Sequence, residues 1–387
     1  MPIAVKWFSS DMRGAPTISG TAGSRIAALD ACLITGFGAV TATGVTVSGG
    51  IATVGVPSGQ TFAQHAVVLI SGATPSALNG EHRVLTSSST QITFATTAAD
   101  GAATGTIEIR YAPVGGWDKV FTGTNKAVYR SADVASPRHY LRVDDTGTLT
   151  ARVRGFESMT DVDTGTGPFP TDAQMSGGGY WHKSTTASAA AVRWKMFGDS
   201  QMMLLAVAAG STSAANKAAP LRGFGFPDVL RPAGDNWATL LSAAGLDPAS
   251  QAGQLDCGQT VAGTLVCPKV WQGVGGSAVL AASALTGGGL VSGANNLMGA
   301  FPSEIDGEMK LSRVFIYETG ANRPPRMVAP GLHYIPQAGV ANYINDGDIM
   351  GAAGSLAGRQ LLMVPTYTSM ALAPTGVYAV DITGPWR

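Results

Sequence analysis

Between Gly44 and Arg110 the sequence is cut into six short runs rich in valine, isoleucine and threonine, with glycine-bearing breaks between several of them. The runs are Gly44–Ser48, Ile51–Val56, Ala66–Ser71, His82–Leu85, Gln91–Thr96 and Gly105–Arg110; Ser48-Gly-Gly50, Asn79-Gly80 and Asp100-Gly101 interrupt them. Such lengths are too short for a stable helix, whereas β-branched residues that alternate with small polar ones suit a half-buried strand. The spacing predicts a small antiparallel β-barrel or sandwich over residues 39–113, its outer face solvated by hydroxyls rather than charges. The chain carries 51 glycines and 21 prolines in 387 residues. That exceeds the roughly 12% combined share of average usage, so frequent turns are expected throughout.

One short helix is predicted ahead of this unit, within an N-terminal segment 1–38. Ile26, Leu29, Leu33 and Ile34 recur at helical spacing, Thr21 or Ser24 is placed to cap the start, and Gly36 to stop it. Beyond Trp117 a larger antiparallel β-sandwich-like region is expected over residues 114–387, with a subdivision near 320 as an option. Its strand candidates are Ala127–Arg130, His139–Val143, Thr148–Arg154, Val192–Phe197, Gln201–Val207, Lys310–Tyr317, Gln360–Val364 and Gly376–Ile382. Asp144-Asp-Thr-Gly147 and Gly198-Asp-Ser200 read as hairpin turns. Val270 to Ser303, uncharged and dominated by Gly, Ala and Ser, reads as long surface excursions with one short helical turn at most. No fixed-period repeat supports a solenoid or propeller.

Charge is scarce and uneven. Lysine plus arginine and aspartate plus glutamate each number 25, yet Glu81 and Arg83 are the only charged residues from Ala31 to Ala99. Trp117 to Asp163 holds fourteen charged residues in 47. The step falls at the turn-rich Tyr111-Ala-Pro-Val-Gly-Gly-Trp117 and marks a domain boundary. Zero net charge without Lys/Arg clusters argues against a nucleic-acid partner. The N-terminus lacks an apolar run after a basic start, so no signal peptide is expected and synthesis in a cytoplasm is inferred. The strongest apolar run, Met202 to Ala209, falls far short of the ~20 residues that span a bilayer, so no membrane insertion is expected. Cys32, Cys257 and Cys267 lack metal-ligand spacing; Cys257 and Cys267 could bridge a hairpin, but their uncharged, small-residue setting favours buried reduced thiols.

Chemistry-bearing residues are sparse. His65, His82, His139, His182 and His333 lie apart from one another, which fits strand-surface positions better than a zinc site. Asp161-Val-Asp-Thr-Gly-Thr-Gly167 with Asp172 has oxygen ligands at alternate positions as a calcium loop does, but Gly165, Thr166 and Pro168 break that pattern. A turn whose aspartates bond backbone amides is the better reading. Gly198-Asp-Ser200 is similar to the start of a GDSL-esterase nucleophile block, without the late Asp-x-x-His those enzymes carry. The pairs Asp144/Asp145 and Asp161/Asp163 are too local to flank a sugar for glycoside hydrolysis. Tyr180-Trp181-His182, Trp194, Trp237 and Trp271 suit either sugar stacking or a sandwich core. No catalytic, cofactor-binding or metal-ligating residue is assigned, no cofactor is expected, and the chain is read as not an enzyme.

Several segments resemble a known family. Phe8-Ser-Ser-Asp-Met-Arg-Gly-Ala-Pro16, Ser19-Gly-Thr-Ala-Gly23 and Leu29-Asp-Ala-Cys-Leu-Ile-Thr-Gly-Phe-Gly38 are similar to the start of tail proteins from tailed bacteriophages and prophages. Val67 to Ala73, Leu78 to Val84, Ile92-Thr-Phe94 and Ala103 to Ile107 resemble a small β-domain of phage virion proteins. Tyr129-Arg-Ser131, Tyr140 to Asp145, Gly155 to Gly165 and Asp381-Ile-Thr-Gly-Pro-Trp386 resemble the same family, generally called tail, tail-tip or baseplate proteins. The resemblance implies a structural virion protein at the distal tail end of a long-tailed phage, assembled in the host cytoplasm with other tail and baseplate proteins. By the symmetry of tail ends it implies a homotrimer or a ring of three or six copies. The alternative is a receptor-binding virion protein that recognises a host pilus or surface glycan; a virion-associated glycan hydrolase ranks below both.

Overall fold

The computed structural model describes residues 3–208, 219–231, 233–243, 255, 265–283, 298–319, 324–366 and 376–387. Among the described residues the fold is mainly β, with one short helix and several antiparallel sheets, none closed into a barrel. Residues 39–113 contribute to two small open sheets. One has the order Phe37–Thr41, Glu108–Tyr111, Val67–Ser71, Gly80–Arg83; the other Thr86–Ser87, Gln91–Ala95, Ile51–Gly55, Gly44–Ser48, Gly101–Ala102. Alternation decides the faces: Val45, Val47, Ala52, Val54, Ile92 and Phe94 are buried, whereas Thr46, Ser48 and Gln91 are exposed. Of the two expected forms, the sandwich is the one that exists.

The helix occupies Ser24–Asp30 and continues as a π-helical turn, Ala31–Thr35, ended at Gly36 (φ 73°). Ile26, Leu29 and Leu33 face the core as their spacing predicts. The expected caps are not the caps. Gly23 sits at the N-cap position with no side-chain bond, and the Ser24 hydroxyl instead serves the Ser19 and Thr21 carbonyls. The cap arrives from a distant hairpin: Asp145 Oδ2 accepts from the amides of Arg25 (2.7 Å) and Ile26 (3.3 Å).

A six-stranded sheet follows: Trp117–Gly123, Lys126–Ser131, Tyr140–Asp144, Thr150–Met159 and Gly165–Phe169, with Gly179–His182 also beside Thr150–Met159. Gly165–Phe169 contains two glycines and a proline, which read as a turn. It survives as a strand because it lies at an edge, and the Phe169 ring fills the space over its register partner Gly155.

The largest sheet has thirteen strands. Its path runs from Lys6–Ser9 through Trp194–Gly198, Met202–Val207, Leu221–Gly225, Leu240–Ser242, Leu265–Cys267, Ala278–Ser283, Ser312–Glu318, Met327–Tyr334, Gly376–Asp381 and Gln360–Thr366 to Ile349–Gly351; Asp228–Val229 pairs with Met327–Tyr334 off that path. It doubles over on itself. The Ala219 amide meets the Pro365 carbonyl at 3.0 Å, and Lys195 pairs with Asp346 across the fold. Every residue of Met202–Val207 is buried, as a continuous apolar run requires when both faces of a sheet are covered. The reading of Val270 to Ser303 as surface excursions is corrected: Ala278–Ser283 is an interior strand of this sheet, where small residues allow close packing. Residues 284–297 lie outside the described residues, as does Cys257.

Candidate functional site

The outer face of the five-stranded sheet is built from neutral residues alone. Register places Ala102, Thr46, Thr53, Thr93 and Thr86 in one row across all five strands. Flanking rows bring Gly44, Gly55 and Gln91 on one side and Ser48, Ile51 and Ala95 on the other. Thr86 and Thr93 hydroxyls are 2.6 Å apart. The row is exposed or half-buried, and Ile51 is among the exposed large hydrophobics of the chain. No charged side chain stands in these rows, so covering them desolvates hydroxyls that can both donate and accept, and no ion. The two outermost strands have only two residues each, which leaves little free edge for strand pairing. Association would use the face.

The residues singled out for chemistry are placed as follows. Asp161 Oδ1 accepts from the amides of Asp163 (2.7 Å) and Thr164 (2.8 Å), bonds that hold its carboxyl below the usual range. Asp163 pairs with Lys126 and Arg142, and Asp172 with the Gly177 amide and Arg154. These aspartates make a turn and ion pairs, and they point to different partners. Asp144 binds Thr146 within its own turn, while Asp145 faces inward to the helix and the buried Lys183. At Gly198-Asp-Ser200, Asp199 accepts from the amides of Gln201 and Met202 and from the Arg387 guanidinium at 3.0 Å. Ser200 Oγ donates to Asp133 Oδ2 at 2.7 Å, so a carboxylate stands where nucleophile activation needs an imidazole.

Of the aromatics, Trp181 and Trp194 are core residues whose indole N–H groups donate to the Ser242 and Pro16 carbonyls. Trp237 has Lys269 Nζ 3.9 Å from its ring centroid and His139 stacked at 6.0 Å, so its ring is engaged within the chain. Trp271 carries Arg231 and lines, with Glu318, Pro324 and Arg326, a cavity of about 150 Å³. That is smaller than the roughly 300 Å³ at which small-molecule sites begin.

The histidines are not simple surface residues. His139 and His182 are buried, and burial pushes their imidazoles down to about 4 and about 3. Cys267 is a free, buried thiol pushed up to about 12 by that burial. Beside it lies a cluster the sequence did not reveal: Arg326, 1% exposed, binds Asp235 through two bonds (2.6 and 3.1 Å) and Glu318 at 2.9 Å. Among the described residues no group of three His, Cys, Asp or Glu could hold a metal ion, and no helix is long and apolar enough to cross a membrane. No family model matches the chain, and comparison with curated proteins finds no match to it.

Proposed function

We propose that this chain is a structural component of the distal tail of a long-tailed bacteriophage, packed against other tail-tip or baseplate proteins in three or six copies. The observation that carries the reading is the charge-free threonine row from Ala102 to Thr86. Charged residues are depleted at the centres of protein interfaces because each must lose its hydration, and a pleated face of threonine, serine and alanine avoids that cost. The resemblance of the opening, the small β-domain and the C-terminal segment to phage tail proteins points the same way. The aspartates and Ser200 that a hydrolase reading would need are engaged in turns and ion pairs, which supports a non-enzymatic role.

Immunogold labelling of purified virions checks the location: label at the distal tail is expected, and virions without label exclude the reading. Thr46→Lys and Thr53→Lys test the face. Both side chains stand on the solvent side of the sheet, so the purified variants should keep the parent melting temperature while incorporation into virions falls. Undisturbed incorporation would remove the face from the assembly.

A further inference from the structure

The most exposed large apolar side chain among the described residues is Ile305, at 96%. It stands on the loop ahead of Ser312–Glu318, and that loop is firmly held. The buried Gln337 donates through Nε2 to the carbonyls of Ala300 (3.1 Å) and Glu308 (3.2 Å), and its Oε1 accepts from the Lys310 amide at 2.7 Å. At the base the Phe301 amide reaches the Ala338 carbonyl at 2.9 Å, and the Phe301 ring packs edge-on against Tyr343. At the tip the Gly307 amide closes on the Ser303 carbonyl at 2.7 Å. A side chain presented on a fixed frame loses little freedom when it is covered. Lys310 neutralises Asp306 and Glu308, whereas Glu304, exposed beside Ile305, has no cationic partner among the described residues.

The far end of the same strand carries a matching hollow. The cavity of about 150 Å³ is walled by Trp271 and Pro324 and floored by Glu318 and Arg326. A cavity of roughly this volume holds a benzene ring, so the four carbons of an isoleucine side chain fit it. The floor is polar but satisfied: Glu318 and Arg326 bond each other at 2.9 Å, Asp235 also holds Arg326, and the Trp271 amide donates to Glu318. Beside the hollow, Arg231 lies over the Trp271 ring at 5.0 Å and donates to the Trp271 carbonyl at 3.3 Å, with no carboxylate partner among the described residues. Ser312–Glu318 has seven residues, and at about 3.3 Å per residue its two ends are roughly 20 Å apart. The chain cannot seat its own Ile305. An unpaired carboxylate beside the knob and an unpaired guanidinium beside the hollow give the two patches opposite charge, and a second copy of the chain supplies both.

We propose that Ile305 of one copy enters the Trp271–Pro324 hollow of a second copy, with Glu304 of the first meeting Arg231 of the second. Knob and hollow are different patches, so the contact is head-to-tail and repeats until the rotation closes a ring. It deepens the tail reading, resting on it for the number of copies alone.

Sedimentation velocity on the purified full-length chain tests the contact. The parent should associate as its concentration rises. Ile305→Asp alters a side chain that is solvated in the monomer, so the melting temperature should hold while association weakens at least about tenfold. Arg231→Glu and Glu304→Arg should each weaken association, and an equimolar mixture of these two variants should recover it, since every knob then finds a hollow of opposite charge. A parent that stays monomeric at every concentration, or unchanged association in Ile305→Asp, would overturn the contact. A mixture that fails to recover would overturn the pairing of Glu304 with Arg231. The two readings fail separately: virions without label remove the tail assignment and leave association of the pure chain standing, whereas a monomeric chain removes this contact and leaves a distal label in place.

Discussion

Stacked on Trp237, edge-on to Phe169 and bonded through Nδ1 to the Thr239 hydroxyl at 2.7 Å, His139 has no room for hydration of a charge. Burial, reinforced by the nearby Lys269 ammonium, lowers its imidazole from 6.5 to about 4. The unfolded chain therefore takes up a proton below pH 6.5 that the folded chain refuses until about pH 4, and stability falls as pH drops through that window. At about pH 5 this one residue costs roughly 2 kcal/mol of stability. His182, lowered for the same primary reason, acts in the same direction. Thermal unfolding should show a lower melting temperature near pH 5 than near pH 7, with a smaller drop in His139→Gln. Equal drops in the two proteins would assign the acid sensitivity elsewhere. The sequence showed that the five histidines do not cluster, but not which are enclosed, because the groups around His139 come from residues 169, 237, 239 and 269.

At the scale of elements, the seven-residue helix is too short to hold itself, and its first turn depends on the Asp144–Gly147 hairpin. Asp145 performs two tasks there: it receives the Arg25 and Ile26 amides and it neutralises Lys183, both carboxylate and ammonium being fully enclosed. Asp145→Ala should cost about 3–5 kcal/mol, because it leaves a buried ammonium without its partner. Ser24→Ala removes only neutral hydroxyl bonds and should cost about 1 kcal/mol. Denaturant midpoints of the two variants check the order, and equal losses would show that the hairpin does not hold the helix. The helix itself was legible in the three- and four-residue spacing of Ile26, Leu29 and Leu33. Its cap was not, because any residue that folds back near the first turn can replace a local one.

Over the whole molecule, Arg83 ties together segments far apart in the chain. From the small sandwich it donates to the carbonyls of His65 and Ile382 at 2.7 Å, Thr383 at 3.1 Å and Val5 at 3.3 Å. Lys6, 1% exposed, adds a bond to the Val114 carbonyl (2.8 Å) and an ion pair with Glu81 (2.9 Å). Arg83→Met should leave the sandwich folded but free it from both chain ends, so limited proteolysis should cut faster within residues 112–116. Unchanged cleavage there would mean that the core contacts alone hold these parts together. What the sequence by itself determined is local: the strand-forming runs, the glycine-marked turns between them, the helix, and the neutral outer face that follows when Val45 and Val47 turn inward and Thr46 outward. Periodicity assigns each element a buried and an exposed face, and it carries no information on which faces meet. Only the tertiary structure decided that the large sheet doubles over, that Arg326 finds Asp235 91 residues away, and that Gln337 holds the loop carrying Ile305 at the opposite end of a strand from the hollow at Trp271. Each of those depends on contacts between distant segments, formed once the chain has packed.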